Sequence, residues 1–235
     1  MTMEPLLEAI CKIFPEAESG KHFFAKQSAL LEEQYGFTPE NTHFAEGGCS
    51  DEINEPEYLL MQNYWGERFK FGGLAGYCHG GKTGLLALSH HVPEIDGKKN
   101  LLIVAGPHIG YHDNQWGTCL RPGQNEASAS CGSITSIINS GYQTIKDKKT
   151  DPLDMQQHKV EQILLPYLKS CDDNDEKPDI LGATRYIIKI IDKDLKTITY
   201  DLKNDFDGQI ALITGIIINT ETKNFFAPSI VDILS

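Results

Sequence analysis

The sequence predicts an α/β fold with a mostly parallel central sheet flanked by helices. Three observations lead there. Residues 101–105 (Leu-Leu-Ile-Val-Ala) form an uninterrupted apolar run ending in Gly106-Pro107-His108, the pattern of a strand buried on both faces. Before it come a strand-like stretch at 67–77 with a glycine-rich turn and a helix-like segment at 82–91, which gives the strand–helix–strand order of a parallel unit. Beyond Pro178, short runs rich in Ile, Thr and Phe predict antiparallel strands.

In chain order, residues 4–35 read as helical, interrupted near Pro15 and restarted after Ser19-Gly20, with Leu30, Leu31 and Tyr35 as the second helix's apolar stripe. The Gly47-Gly48-Cys49 turn lets the backbone approach a neighbour closely. Ser50 and Asp51 are caps for the next helix, whose apolar residues are Leu59, Leu60 and Tyr64. Cys49 thus lies near a helix N-terminus, where the dipole favours thiolate. Residues 112–125 are an irregular polar loop, and 126–140 a helix of small residues with Cys131 in its first half. Residues 151–170 form a helix with Val160, Ile163, Leu164 and Leu168 on one face, followed by an acidic linker at 171–178. The expected closing strands are 187–191, 197–202, 210–219 and 225–231, separated by turn residues.

A formal net charge of −12 argues against nucleic acid or an anionic membrane as the main partner. No apolar run approaches the ~20 residues of a membrane span. The acidic N-terminus lacks the basic start of a cleaved signal peptide. Six cysteines without a Cys-x-x-Cys pair exclude a zinc ribbon and a thioredoxin-type motif and predict reduced thiols in a cytoplasmic protein, or in an organelle after removal of a transit peptide.

Gly76-Tyr-Cys-His-Gly-Gly-Lys-Thr83 satisfies the nucleotide-binding pattern G-x-x-x-x-G-K-[ST] and lies between a strand and a helix. Lys82 and Thr83 would then meet phosphate and magnesium. Such a site also wants an acid at the end of a neighbouring buried strand. The 101–105 run leads into His108 instead, and the remaining candidate, Asp192, falls among the antiparallel runs.

A second constellation suits zinc. Cys49, His108 and Cys131 supply thiolate and imidazole, each beside Gly, Pro or Ser, and three protein ligands with an exchangeable fourth position mark a catalytic centre. Cys78, His79, His90, His91 and His112 are rival ligands.

Cys49-Ser50-Asp51 resembles the Cys-x-Asp turn of β-carbonic anhydrases, and the order from Phe69 to His108 is similar to theirs. Cys131-Gly132 stands 23 residues after His108, a departure from that family's Gly-His-x-x-Cys-Gly-Gly. With Ser-His-His-Val-Pro at 89–93, Gly-Pro-His-Ile-Gly at 106–110 and Ser-Ala-Ser-Cys-Gly at 128–132, that departure resembles the limiting-carbon-dioxide-inducible protein B/C (LCIB) family of divergent β-type, or θ-type, carbonic anhydrases. The resemblance implies an N-terminal helical arm (1–40), a single β-carbonic-anhydrase-like domain (41–235) with C-terminal antiparallel strands extending its sheet, and a homodimer. It implies Zn2+ on Cys49, His108 and Cys131, and reversible hydration of carbon dioxide to bicarbonate by hydroxide made at neutral pH. A non-catalytic zinc-binding member acting as an interaction or bicarbonate-responsive module is the alternative.

In ordinary β-carbonic anhydrases, the Asp of Cys-x-Asp-x-Arg pairs with the Arg two residues on and orients the reacting water; unpaired, it can close the site by binding zinc. By this resemblance Asp51 takes the Asp role, but Ile53 occupies the Arg position. Arg68 and Arg121 are candidate substitutes, and Arg68 is preferred because it begins the neighbouring strand.

Overall fold

The computed structural model describes residues 5–235; residues 1–4, which begin the expected N-terminal arm, lie outside it. The helices are α1 (Pro5–Cys11), α2 (Gly20–Leu30, continued by a π turn at Leu31–Tyr35), α3 (Glu55–Trp65), α4 (Gly81–Ser89), α5 (Gly132–Asp147), α6 (Met155–Asp173) and α7 (Ile180–Leu202). The strands are β1 (Glu18–Ser19), β2 (Thr42–Gly48), β3 (Arg68–Lys70), β4 (Asn100–Gly106), β5 (His108–His112), β6 (Gln115–Trp116), β7 (Thr118–Cys119), β8 (Ser128–Ala129), β9 (Gln209–Asn219) and β10 (Phe225–Leu234).

The main sheet runs β1-β10-β9-β4-β2-β3, with β5 also alongside β9. β3, β2, β4 and β9 are mutually parallel, whereas β10 and β1 extend the sheet antiparallel. Alternation along β4 explains the two-sided burial. Leu101, Ile103 and Ala105 enter a core with Leu164, Ile187, Ile191 and Leu195. Leu102 and Val104 enter another with Phe23, Phe24, Tyr58, Met61, Trp65 and Phe226. A parallel strand covered by helices on both faces needs an unbroken apolar sequence, and β4 has one. The N-terminal helices contribute Ile10, Phe23 and Phe24 to these cores.

Three expectations are corrected. Residues 187–191 and 197–202 are not strands but parts of the 23-residue helix α7. Ala183, Ile187, Ile191, Leu195 and Thr199 recur every four residues and are buried, so the period is helical despite β-branched side chains. Asp179 caps the helix by accepting from Gly182 N at 2.9 Å, and the Thr184, Thr197 and Thr199 hydroxyls donate back to carbonyls one turn earlier. On α3 the buried face is Tyr58, Met61 and Trp65, while Leu59, Leu60 and Tyr64 are exposed. Finally, α5 starts only at Gly132, so Cys131 is its N-cap residue rather than an internal one, and 128–129 pair as a strand with 118–119.

Candidate metal centre

The site forms where β2 and β4 end. Their parallel register pairs Gly48 with Gly106, so Cys49 and His108 emerge side by side from strands far apart in sequence. Glycine is required at this crossing. A Cβ on Gly106, at φ +152°, would lie 1.8 Å from the Gly215 carbonyl oxygen, and one on Gly76, at φ +68°, would lie 2.0 Å from that of Gly106. Cys131 arrives as the N-cap residue of α5.

The ligand atoms of Cys49, His108 and Cys131 all lie within 4.8 Å of one another, and all three residues are buried. The His108 Nδ1 lies 2.7 Å from Asn219 Oδ1, whereas Nε2 is buried with no hydrogen-bond partner. An orphaned imidazole nitrogen between two thiols is costly unless something coordinates it. Two sulfurs and one nitrogen match the preferred donors of a tetrahedral zinc with one position left open.

The thiols are electrostatically coupled. The hydrogen bond from Cys131 holds the Cys49 thiol well below its ordinary pKa, while the same contact, with burial, pushes Cys131 up. Burial opposes protonation of His108, but its contacts with Cys49 and Asn219 outweigh this and leave its pKa raised.

Asp51 stands at the open side, its Oδ2 3.8 Å from His108 Nε2. It caps the short turn at Glu52–Asn54 by accepting from Ile53 N at 3.3 Å. Its guanidinium partner is Arg121, not Arg68. Arg121 Nη1 reaches Asp51 Oδ1 at 2.6 Å and Nη2 reaches Oδ2 at 2.9 Å; Nη2 also donates to the carbonyls of Ala129 and Ser130 at 3.3 and 3.1 Å. Burial alone would raise the Asp51 carboxyl, but Arg121 outweighs it and holds the carboxyl below its usual range. Arg68 is engaged elsewhere, with Glu46 at 3.1 Å and with Glu55. It begins β3, and its side chain lies with Glu46 on the face of the sheet that packs α3, so adjacency in the sheet does not bring it to Asp51. A cavity of about 250 Å³ opens beside Cys49 and Asp51, lined also by Glu46, Ser50, Glu55 and Lys70.

The family model of limiting CO2-inducible proteins B/C beta carbonic anhydrases matches residues 19–235. The chain belongs to this family. Among solved structures, PtLCIB4, a homolog of the limiting CO2-inducible protein LCIB, is similar at TM-score 0.84 and 34% identity, over 97% of this chain and 94% of that one. A mutant of PtLCIB4 is similar at TM-score 0.78 and 31% identity, over 97% and 95%. LCIB itself gives TM-score 0.71 and 23% identity, over 95% and 96%, a likeness of fold. No curated protein matches the chain.

In this LCIB-family chain the glycine-rich stretch is not built for phosphate. The amides of Gly76, Tyr77, His79, Gly80 and Gly81 donate to the carbonyls of Gly73, Leu74, Tyr77, Phe71 and Cys78, so they are not free to cradle an anion. Lys82 pairs with Asp201 at 2.8 Å on the surface. Asp192 lies on α7 and accepts from the Thr214 and Ser229 hydroxyls at 2.5 Å each. The turn instead packs its backbone against the end of β4. Of the rival ligands, Cys78, His79, His90, His91 and His112 lie outside the cluster. Asn219, the partner of His108, was missed from sequence; its one signal is an amide closing the apolar run of β9. Among the described residues no helix is long and apolar enough to cross a membrane.

Proposed function

We propose that the protein is a carbonic anhydrase that holds Zn2+ on Cys49, His108 and Cys131 and reversibly hydrates carbon dioxide to bicarbonate. The observation that carries this reading is the buried, unpartnered His108 Nε2 among two thiols, with the Asp51–Arg121 pair beside it. Zinc in such a site supplies Lewis acidity, lowering the pKa of a coordinated water from about 15.7 to near 7.

The protein's own residues do the rest. Asp51, kept ionised by Arg121, can only accept hydrogen bonds, so it would orient the O–H of a nucleophilic water that has given up one proton to solvent, with that oxygen's lone pair directed at carbon dioxide. Arg121 occupies both carboxylate oxygens and would keep Asp51 from serving as a further ligand to a bound metal. The non-catalytic alternative drew on Ile53 standing where an arginine belongs; Arg121 supplies that guanidinium from another segment, so this observation no longer favours it. A homodimer in the cytoplasm remains part of the proposal.

Metal analysis with stopped-flow hydration tests it. One equivalent of zinc is expected, lost in Cys49→Ser and in His108→Ala. Zinc-loaded, reduced protein that does not accelerate hydration over buffer overturns the activity.

A further inference from the structure

We infer that Glu57, acting through Asn224, joins Asn54 in orienting the Asn219 amide, which decides which ring nitrogen of His108 carries the proton, and that these four are positioning residues for the metal ligand. The inference rests on the proposed role of His108 and concerns its supporting shell.

The argument is one of hydrogen-bond direction. A buried asparagine can face its partners in two ways, and its neighbours decide which. Asn224 Nδ2 meets Glu57 Oε2 at 2.5 Å and the Ile53 carbonyl at 3.4 Å, both of which only accept, so its amide group faces them and its Oδ1 faces Asn219. Asn54 Nδ2 donates to the Asp51 carbonyl at 3.2 Å, so its Oδ1 also faces Asn219. Asn219 Nδ2 therefore donates to both oxygens, at 3.2 and 3.3 Å. Its Oδ1 is left for His108 Nδ1 at 2.7 Å, and that nitrogen must bear the hydrogen. Nε2 then presents its lone pair towards Cys49 and Cys131. His108, Asn54 and Asn219 are fully buried and Glu57 nearly so, while Asn224 between them is partly exposed, so the inner half of the relay is shielded from water.

Metal-ligating histidines usually donate their other N–H to a carboxylate or carbonyl. Here the carboxylate is displaced two amides away, on the first turn of α3, and Asn54 holds the relay in register with the turn that carries Asp51. Burying Glu57 is expensive unless hydrogen bonds compensate it, and Asn224 Nδ2 supplies one. Through Asn224 and Asn219, that bond helps to set the tautomer.

The test measures zinc affinity by chelator competition and the histidine ring state by ¹⁵N NMR. In zinc-free wild-type protein, at a pH where His108 is neutral, a single Nδ1–H tautomer is expected. Asn219→Leu should weaken zinc by about 10–100-fold, and Asn219→Asp, which keeps an acceptor for Nδ1, should recover most of it. Glu57→Met should weaken zinc and mix the two tautomers, with Glu57→Gln restoring the wild-type ring spectrum. A wild-type ring protonated on Nε2 overturns the inference whatever the variants do. So does a folded Glu57→Met with wild-type zinc affinity and ring spectrum. Wild-type protein that binds no zinc sinks the metal reading separately, while its ring spectrum still decides the tautomer.

Discussion

Arg121 holds Asp51 through both guanidinium nitrogens, at 2.6 and 2.9 Å, from 70 positions further along the chain. The pair joins the Cys49 turn to the loop before Cys131, so the two cysteine-bearing segments are tied together by a side-chain contact as well as by a shared ligand site. Because Nη1 also reaches Glu52 at 2.7 Å, and Glu52 is largely exposed, the guanidinium is held by one partly buried and one solvent-facing acid.

Replacing Arg121 separates orientation from metal binding. Arg121→Ala should lose about 100-fold in hydration rate through a misplaced Asp51 while retaining zinc. Stopped-flow assays with metal analysis on the same sample check this; loss of zinc in place of rate would show that Arg121 serves the ligand set.

Arg68 should behave differently. Its guanidinium and Glu46 are both buried, so Arg68→Ala strands a carboxylate beneath α3 and should destabilise the fold by about 3 kcal/mol. Urea unfolding measures the loss. Asp51 keeps its own partner, so the fraction that folds should retain hydration activity.

The turn at Gly76–Thr83 is expected to be inert towards nucleotide. Lys82→Ala removes only an exposed pair with Asp201 and should shift stability by no more than about 0.5 kcal/mol, with zinc content unchanged. Binding of ATP by wild-type protein that disappears in Lys82→Ala would reverse this reading.

Glu46 gives a pH signature. Burial raises its carboxyl pKa, with Arg68 and Lys70 offsetting part of the rise, so between the unfolded value near about 4.3 and the raised folded value the folded state binds more protons. Its contribution to stability is therefore greatest in acid and declines as pH climbs through that window. Glu46→Gln should flatten this part of the profile, leaving the similar decline due to Glu57, whose carboxyl burial also raises. Urea midpoints measured across the window check the slope.

Much of this was legible in the chain. The apolar run 101–105, β-branched in part and closed by Gly-Pro, reads as a strand covered on both faces, and local residue types brought forward Cys49, His108 and Cys131. Helix α7 was misread because β-branched residues at 187–191 and 197–202 outweighed the four-residue recurrence of buried positions, which shows only when the whole 180–202 span is taken together. The start of α5 was misplaced because small residues at 126–131 suit a helix and an extended turn equally.

By itself, then, the sequence indicated the parallel sheet, and its motifs in order indicated the family and brought forward Cys49, His108 and Cys131, which the structure clusters. Tertiary structure alone decided which arginine serves Asp51 and which amide serves His108. Both partnerships join segments with no local signal in common: Arg121 reaches Asp51 across the folded-back loop, and Asn219 reaches His108 because β5 lies parallel to the end of β9. A charged or amide side chain in sequence states what it can bond; only the packed backbone states what lies within 3 Å of it.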